Sequence, residues 1–447
     1  MQMVRLGDVA QINPRFDKSF LSDNVPVSFV QMASVGAADG KINVSIVRPF
    51  SEVKKGSYTP FKDGDVLFAK VTPCMENGKM AVARGLTNGV GFGSSEFHVL
   101  RPSDQVDAKY LYYFVSSQTF RKEAAGHMTG AVGLRRVPAA FLADAQLPLV
   151  PLDEQRRIVA EIEQQFSRLD EAVANLQRVK ANLKRYKASV LKSAVEGRLV
   201  ETEASIAQRE GRSYETGEQL LQLILEERQA NWAGRGKWKV PESPSADTPL
   251  PDGWVWSCID QLAEVGTGAT PKRDKAVYWN DGDVPWVTSS VVNGDYVDEA
   301  SEFVTKLALA ETNLTLYPVG TLLIAMYGEG KTRGKCAELR VPATTNQALA
   351  ALQVTSAVRG YVRQFLELNY EEMRKVASGG VQPNLNLSLV RAVCVPLPPL
   401  AEQTRIVAEV DRHLSIVRGV EAEVDVNLQR AQALRQAVLA KSFSSEQ

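Results

Sequence analysis

Two segments of the chain carry apolar residues at the spacing of a long amphipathic helix. In the first segment they recur every three, four or seven residues, at Ile158, Ile162, Phe166, Leu169, Val173, Leu176, Leu183, Tyr186, Val190 and Ala194. The second segment repeats the pattern at Ile406, Val410, Leu414, Val417, Val424, Leu428, Ala431, Leu434 and Val438. Prolines precede both segments and interrupt neither, so each predicts one helix of roughly 40 residues. Neither helix can bury its stripe alone, and we expect them to pair as an antiparallel coiled coil.

The segment before each helix alternates short apolar stretches with glycine turns, which is typical of strands. The predicted strands of the first segment are Val25–Met32, Lys41–Val47, Val66–Val71, Lys79–Ala83 and Phe97–Leu100, followed by a helix at about 108–124. In the second segment they are Leu322–Met326 and Ala348–Val354, followed by a helix at about 358–376. The pattern predicts an α+β unit with a curved, mostly antiparallel sheet in each half.

The two halves are copies of one another. Residues 148–161 and 396–409 are identical at 11 of 14 positions at a constant offset of 248. Residues 64–81 align without gaps on 320–337. A duplicated unit followed by a helix indicates an internal pseudo-two-fold, and duplex DNA is the commonest two-fold target.

The repeat and the linker composition predict five segments. These are a first α/β domain at 1–147, a long helix at 148–199, a connector at 200–250, a second α/β domain at 251–395 and a second long helix at 396–447. The connector combines an apolar–acidic helix at about 215–232 with a stretch rich in Pro, Ser and Asp.

Composition favours a soluble, reduced, cytoplasmic protein. No run of 18 apolar residues suggests a membrane span, and the N-terminus lacks the apolar core of a signal peptide. The four cysteines are far apart, which disfavours a disulfide framework or structural zinc. Net charge is zero, with +4 in residues 1–150 and −3 in residues 251–400. DNA binding would therefore rest on local basic patches or a basic partner.

Three motifs resemble catalytic signatures, and each lacks the context that its chemistry needs. Residues 325–332 (A-M-Y-G-E-G-K-T) fit a relaxed phosphate loop, but the sequence that follows is strand-like where a helix is required. Residues 13–16 (N-P-R-F) resemble an adenine-gripping loop without a cofactor-binding loop, and Glu329–Lys331 resembles part of a nuclease motif without a paired Asp. The three histidines form no catalytic or metal pattern. We expect no catalytic, cofactor-binding or metal-binding residues in this chain.

Polar turns at matching places in the two halves are better suited to DNA contact, because Asn, Gln, Lys, Arg and Glu can satisfy base edges in the major groove. The candidates in the first half are Lys70, Thr72, Glu76, Asn77, Lys79, Ser94, Ser95 and Glu96, with Arg135 and Arg136 as phosphate contacts. Those in the second half are Tyr327, Lys331, Thr332, Arg333, Lys335, Thr345, Asn346 and Gln347. The alternative is that these are ordinary polar turns.

Taken together, the chain resembles a type I restriction–modification specificity subunit over essentially its whole length. The doubled P-L-x-E-Q-x-R-I-V-A-E at 151–161 and 399–409 carries the likeness. Residues 62–70, 91–102, 5–10 and 250–256 resemble parts of the family's target-recognition domains.

The resemblance implies that each target-recognition domain reads one half of a bipartite double-stranded DNA site while the helices set the unread gap. It implies two modification subunits, carrying S-adenosylmethionine, that dock on the helices and methylate adenine. Restriction subunits that use ATP and Mg can join them. It implies no cofactor and no catalysis in this chain. The alternatives are a coiled-coil scaffold with two heads that bind something other than DNA and, third, an NTPase.

Overall fold

The computed structural model describes residues 2–19, 21–131, 133–232, 237–244, 246, 248–327, 332–370, 373–374 and 384–444. The chain divides into two compact units. Unit 1 consists of Met1–Val179 and Glu423–Gln447, and unit 2 is Lys180–Ala422.

Unit 1 contains two four-stranded sheets and a two-stranded ribbon. Its strands are β1 (Gln2–Arg5), β2 (Ala10–Ile12), β3 (Pro26–Val30), β4 (Val47–Pro49), β5 (Thr59–Lys62), β6 (Val66–Ala69), β7 (Met80–Val82), β8 (Val90–Gly93), β9 (Phe97–Pro102) and β10 (Gln146–Leu149). The ribbon pairs β1 with β10, and the sheet orders are β2-β9-β6-β7 and β4-β3-β8-β5. All neighbours are antiparallel except β3 and β8, which are parallel.

The helices of unit 1 are α1 (Leu6–Val9), α2 (Phe50–Val53), α3 (Ala108–Ser116), α4 (Gln118–Gly126), α5 (Ala139–Asp144) and the first part of α6 (Leu152–Val195). The short helix α2 packs on the β4-β3-β8-β5 sheet, and the others close over one face of the β2-β9-β6-β7 sheet. Phe68 and Leu100 of the sheet, Tyr110 of α3 and Ile162 of α6 belong to one buried apolar cluster. This core holds the strand ends, where the polar turns lie, in fixed positions.

Unit 2 repeats the plan with sheets of five and three strands in place of two sheets of four. Its strands are β11 (Val255–Cys258), β12 (Ala263–Thr267), β13 (Val284–Val287), β14 (Tyr296–Val297), β15 (Glu302–Val304), β16 (Leu322–Ala325), β17 (Cys336–Leu339), β18 (Thr344–Thr345), β19 (Leu349–Val354) and β20 (Cys394–Leu397). They form the ribbon β11-β20 and the sheets β12-β19-β16-β17-β14 and β15-β13-β18. The parallel pair β13-β18 recurs where unit 1 has β3-β8.

The remaining helices are α7 (Glu203–Glu210), α8 (Gly217–Ala230), α9 (Ile259–Leu262), α10 (Lys306–Glu311), α11 (Arg359–Leu368), α12 (Leu387–Arg391) and α13 (Leu400–Ser442). The end of α6 and the start of α13 lie in unit 2. Three-residue 3-10 turns occur at Met32–Ser34, Thr87–Gly89 and Ala276–Tyr278, with a longer one at Ser289–Asn293.

The two long helices begin directly after their prolines and run for 44 and 43 residues, which confirms the predicted helices. In unit 1 the early part of α6 packs with the late part of α13, since Ile158 and Leu439 share one core. In unit 2 the late part of α6 packs with the early part of α13, since Val190 and Ile406 share another. This is the pairing of an antiparallel coiled coil.

The doubled sequence motif gives the same hydrogen bonds at both helix starts. The Gln155 Nε2 amide donates to Val150 O at 2.8 Å, and Gln403 Nε2 donates to Pro398 O at 2.8 Å. Both glutamines are buried. Burial requires such a partner, so this part of the motif anchors the helix to the strand before it.

Tyr110 and Tyr361 provide a second repeated anchor. Tyr110 Oη donates to Pro148 O at 2.6 Å, and Tyr361 Oη donates to Pro396 O at 2.8 Å. Each bond ties the helix after the sheet to the last strand of its own unit. The duplication seen in the sequence is therefore also a duplication of buried polar contacts.

Three predictions for the α/β units are corrected. The strand expected at Lys41–Val47 is limited to Val47–Pro49, because Asn43 Oδ1 accepts from Ser45 N and turns the chain before it. The helix expected at 108–124 is two helices, broken where Ser117 turns to ψ 147° and caps α4 through its hydroxyl. The single sheet expected in each half is two sheets and a ribbon.

Two positions of the apolar stripe predicted for the long helices are exposed, where burial was expected. Tyr186 and Leu434 are 45% and 54% exposed. Near Leu434 it is Leu439 that is buried. The neighbouring Arg435 packs against α6, with its guanidinium 4.1 Å from the centroid of the Phe166 ring. A pair of helices covers a narrow seam, so neighbours of the stripe can take its place. Among the described helices, none is long and apolar enough to cross a membrane.

Candidate nucleic-acid interface

In unit 1 the segment around Arg135 and Arg136 lies along the end of β6 and is held there by its main chain. Val137 N donates to Lys70 O at 2.8 Å, and Thr72 N donates to Arg135 O at 3.0 Å. Thr129 and Arg136 exchange two further main-chain bonds of 2.9 and 2.8 Å. The fold thus brings Arg135 beside Thr72, although 63 positions separate them in the sequence.

The charged side chains of this surface are paired but remain accessible. Arg136 donates from Nε and Nη2 to the two carboxylate oxygens of Glu96, at 2.9 and 2.7 Å. These hydrogen bonds lower the pKa of the Glu96 carboxyl below its usual value. Arg135 Nη2 lies 3.9 Å from Glu76 Oε1, and both arginine side chains are nearly half exposed. Guanidinium groups can bind phosphate or guanine, and carboxylates can accept from cytosine N4, so the cluster has the chemistry for DNA contact.

Some of the other unit 1 candidates bond to the main chain, and others are exposed to solvent. Thr72 Oγ1 accepts from Arg135 N at 3.0 Å, and Ser94 Oγ accepts from Glu96 N at 3.2 Å. Lys79 is half-buried, and its ammonium donates to Met32 O at 3.1 Å. These three side chains shape the surface through main-chain contacts. Asn77 and Ser95 are exposed.

In unit 2 the candidates after β18 form a polar turn. Asn346 N donates to Val287 O at 3.0 Å, and its side-chain oxygen accepts from Ala348 N at 3.1 Å. Gln347 is exposed, and its Oε1 accepts from the Thr270 hydroxyl at 2.7 Å. Thr345 is fully buried in β18 and so cannot reach a base edge from this position, which removes it from the contact set.

The candidates near β16 and β17 are spread over a second turn. Tyr327 is 40% exposed, and Thr332 and Arg333 are half-buried. Lys335 Nζ donates to Asn293 Oδ1 at 3.2 Å. Lys331 lies outside the described residues, as do residues 328–330 of the phosphate-loop-like segment. The element after it is the strand Cys336–Leu339, as the sequence predicted, and not the helix that a phosphate loop requires.

A basic loop that sequence reasoning missed lies beside the Thr345–Gln347 turn. Ala269 N donates to Thr345 O at 2.9 Å, and the loop that follows contains Lys272, Arg273 and Lys275. The Arg273 guanidinium lies 3.8 Å from the Trp279 ring centroid. The signal was present as T-P-K-R-D-K at 270–275, but only the fold places it next to the polar turn.

The remaining catalytic-like features have structural partners. Asn13 of the N-P-R-F segment accepts from Val99 N at 3.0 Å and donates to His98 Nδ1 at 2.9 Å. His98 is buried, and its Nε2 lies 2.8 Å from Val137 O. In the part of the chain that the structure describes, no three His, Cys, Asp or Glu side chains group as metal ligands.

Comparison with known proteins gives one family. The model of the type I restriction modification DNA specificity domain matches residues 1–184 and again residues 251–425. The EcoAI specificity subunit of Escherichia coli is 40% identical over 167 residues, which is 37% of this chain and 28% of that subunit. The EcoEI specificity subunit of Escherichia coli is 25% identical over an alignment of 506 positions, covering 98% of this chain and 82% of that subunit.

Two solved structures share the fold. One, from work on complex assembly and conformational transition of the type I R-M system, has a TM-score of 0.70 at 22% identity and covers 100% of this chain and 98% of its own. The HsdS subunit of Thermoanaerobacter tengcongensis has a TM-score of 0.53 at 21% identity, with coverages of 100% and 97%. Each half of the sequence matches the same family model, and the chain therefore belongs to the type I restriction modification DNA specificity domain family.

Proposed function

We propose that this chain is the sequence-reading subunit of a type I restriction–modification system. Each unit reads one half of a bipartite double-stranded DNA site, and the paired helices set the gap between the halves. Two modification subunits that carry S-adenosylmethionine dock on the chain and methylate adenine, and restriction subunits using ATP and Mg join where the system has them. The chain itself supplies specificity and no catalytic group.

One observation carries the proposal: the family model matches twice, and each matched region presents exposed polar turns at the ends of its strands. The surface of unit 1 combines Arg135, Arg136 and Lys70, and that of unit 2 combines Gln347 with the basic loop at 272–275. Arginine and lysine neutralise phosphates, and amide and guanidinium groups read base edges.

The proposal is tested with the purified chain and the modification subunits from the same genome. Incubation with S-adenosylmethionine and random duplex DNA, followed by sequencing of methylated adenines, should yield one motif with two specified halves and an unspecified gap. The chain alone should neither methylate DNA nor bind S-adenosylmethionine in calorimetry. Complex formation without any sequence preference would favour the scaffold alternative.

A further inference from the structure

The doubled E-Q-x-R motif has the same sequence in both halves but different surroundings. In unit 2 Glu402 is fully buried, whereas the matching Glu154 of unit 1 has a side chain that is 33% exposed. Arg405 bonds to a neighbouring helix, whereas the matching Arg157 is 63% exposed. The difference between the two copies shows what this motif binds when it is covered.

In unit 2 the covering element is the start of α7. The main-chain N–H of Glu203 donates to Glu402 Oε2 at 2.8 Å, and the Glu203 carboxylate pairs with Arg405 at 2.7 Å. Trp254 Nε1 donates to the other Glu402 oxygen at 3.1 Å. The motif therefore binds a helix N-terminus that carries an acidic residue in its first turn. The glutamate of the motif accepts a hydrogen bond from the free main-chain N–H, and its arginine pairs with the acidic side chain.

A second helix start covers the ribbon next to the motif. Gly217, the first residue of α8, donates to Gly253 O at 2.7 Å and lies so close to Leu397 that an added Cβ would be 2.3 Å from the Leu397 carbonyl oxygen. Leu397 is fully buried as a result. The covering partner in unit 2 is thus a helical pair, α7 and α8, seated on the ribbon β11-β20 and the start of α13.

Unit 1 has the same surface without this cover among its described residues. Its ribbon β1-β10 has the same register, with Gln2 opposite Leu149 as Val255 is opposite Leu397. Leu149 is half-buried, and Gln2 opposite it is exposed. Glu154 and Arg157 bond to each other at 2.5 and 3.0 Å, which keeps their charges satisfied until a partner replaces the bond.

We propose that this unit 1 surface, made of Leu149, Glu154 and Arg157, is the docking site for a helical segment of one modification subunit. The occupant presents a helix N-terminus with an acidic first-turn residue to Glu154 and Arg157, as α7 does to Glu402 and Arg405. Charge complementarity and the occupied second copy define its chemistry. The inference rests on the proposed function, because that function supplies the partner subunit.

The test uses the full chain, co-assembled with the modification subunits, with stoichiometry and affinity measured by native mass spectrometry. Arg157→Glu should weaken binding of one modification subunit at least roughly tenfold, the order expected when one partner of an interfacial charge pair is reversed. Arg156→Glu is the matched control, with the same charge change at the adjacent, 65% exposed position. It should leave two subunits bound.

A second variant separates recognition from helix stability. Glu154→Arg combined with Arg157→Glu restores an ion pair within the helix but reverses its direction, so the helix is retained while binding is still lost. If Arg157→Glu and the double variant bind both subunits as tightly as the wild-type chain, the inference is overturned. Self-association of the wild-type chain that Arg157→Glu abolishes would identify the occupant as a second copy, and would also overturn it. A wild-type chain that binds no modification subunit would refute the proposed function itself.

Discussion

The indole N–H of Trp254 donates to the buried carboxylate of Glu402, 148 residues further along the chain, at 3.1 Å. The other oxygen of that carboxylate accepts from Glu203 N. Burial raises the pKa of Glu402 above its ordinary value, and the hydrogen bonds from Glu203 N and Trp254 oppose that rise because they stabilise the carboxylate. The contact joins the connector, the second ribbon and α13 within unit 2.

Trp254→Phe should lower the free energy of unfolding of unit 2 by about 1–3 kcal/mol, because it leaves a buried acceptor short of a donor. All six tryptophans lie between residues 232 and 286, so fluorescence during urea unfolding reports on unit 2 alone. Trp256→Phe is the control, since its indole donates to Thr248 O at an exposed site. Equal losses in the two variants would contradict the role of the Glu402 contact.

His98 should make the stability of unit 1 depend on pH. Burial, followed by the charge of Lys70, lowers the pKa of His98 below its ordinary value. A lowered folded-state pKa means that the unfolded chain binds more protons, so this contribution is present above the unfolded pKa of about 6.5 and is lost as pH falls through the folded value. Hydrogen exchange of Phe97–Pro102, measured by mass spectrometry, should therefore speed up between pH 7.5 and 5.5 after correction for intrinsic rates.

His98→Gln supplies the control for that measurement. Glutamine does not titrate but can still accept from Asn13 and donate to Val137 O. The variant should show a smaller pH dependence, with His127 and His413 unchanged. The same pH response in both proteins would exclude His98 as its source.

The two surfaces should act on separate half-sites. Gln347→Ala should relax one position of one half-site, by roughly the 1–3 kcal/mol that a good base contact contributes, and Arg136→Ala should affect only the other half. Sequencing of the methylated motif from cells carrying each variant measures both halves at once. Relaxation of both halves by one substitution would contradict independent reading.

A paired substitution tests the positioning of Gln347. Thr270→Ser keeps the hydroxyl that donates to Gln347 Oε1, whereas Thr270→Val removes it. Only the valine variant should broaden the base preference, since the freed amide can turn. An effect of both, or of neither, would show that Thr270 does not orient Gln347.

The helices should measure the gap between half-sites. Four residues inserted after Leu176, inside α6, lengthen the helix by about 6 Å and turn the rest by about 40° beyond a full turn, so the stripe still faces its partner. The methylated motif should keep both halves and gain one or two base pairs in the gap. A two-residue insertion turns the stripe by roughly 200° and should inactivate the protein. An active four-residue variant with the original gap would mean that the helices do not set the spacing.

Local signals explain which parts of the fold could be predicted. Proline at 151 and 399, followed by a sustained apolar stripe, located both long helices because helix starts and stripes are encoded by neighbouring residues. The parallel pairing of β3 with β8 had no comparable signal, since it joins strands about 60 positions apart.

The candidate surfaces were limited in the same way. Polar turns marked Glu96 and Gln347, but burial of Thr345 and the contact between Arg135 and Thr72 depend on tertiary packing. The basic loop at 272–275 lies more than 70 residues before Gln347 in the chain, and only the bond from Ala269 N to Thr345 O reveals that they are neighbours.

The arginine segment of unit 1 is positioned by hydrogen bonds that use its main chain and not its own side chains. Val137, Thr72 and Thr129 hold the arginine segment through main-chain atoms, which any residue other than proline can provide. Replacing Arg135 or Arg136 should therefore change the groups offered to DNA while the main chain of the loop keeps its position. Under the proposed function, single substitutions in this segment change the recognised DNA sequence without disturbing the fold that holds the segment.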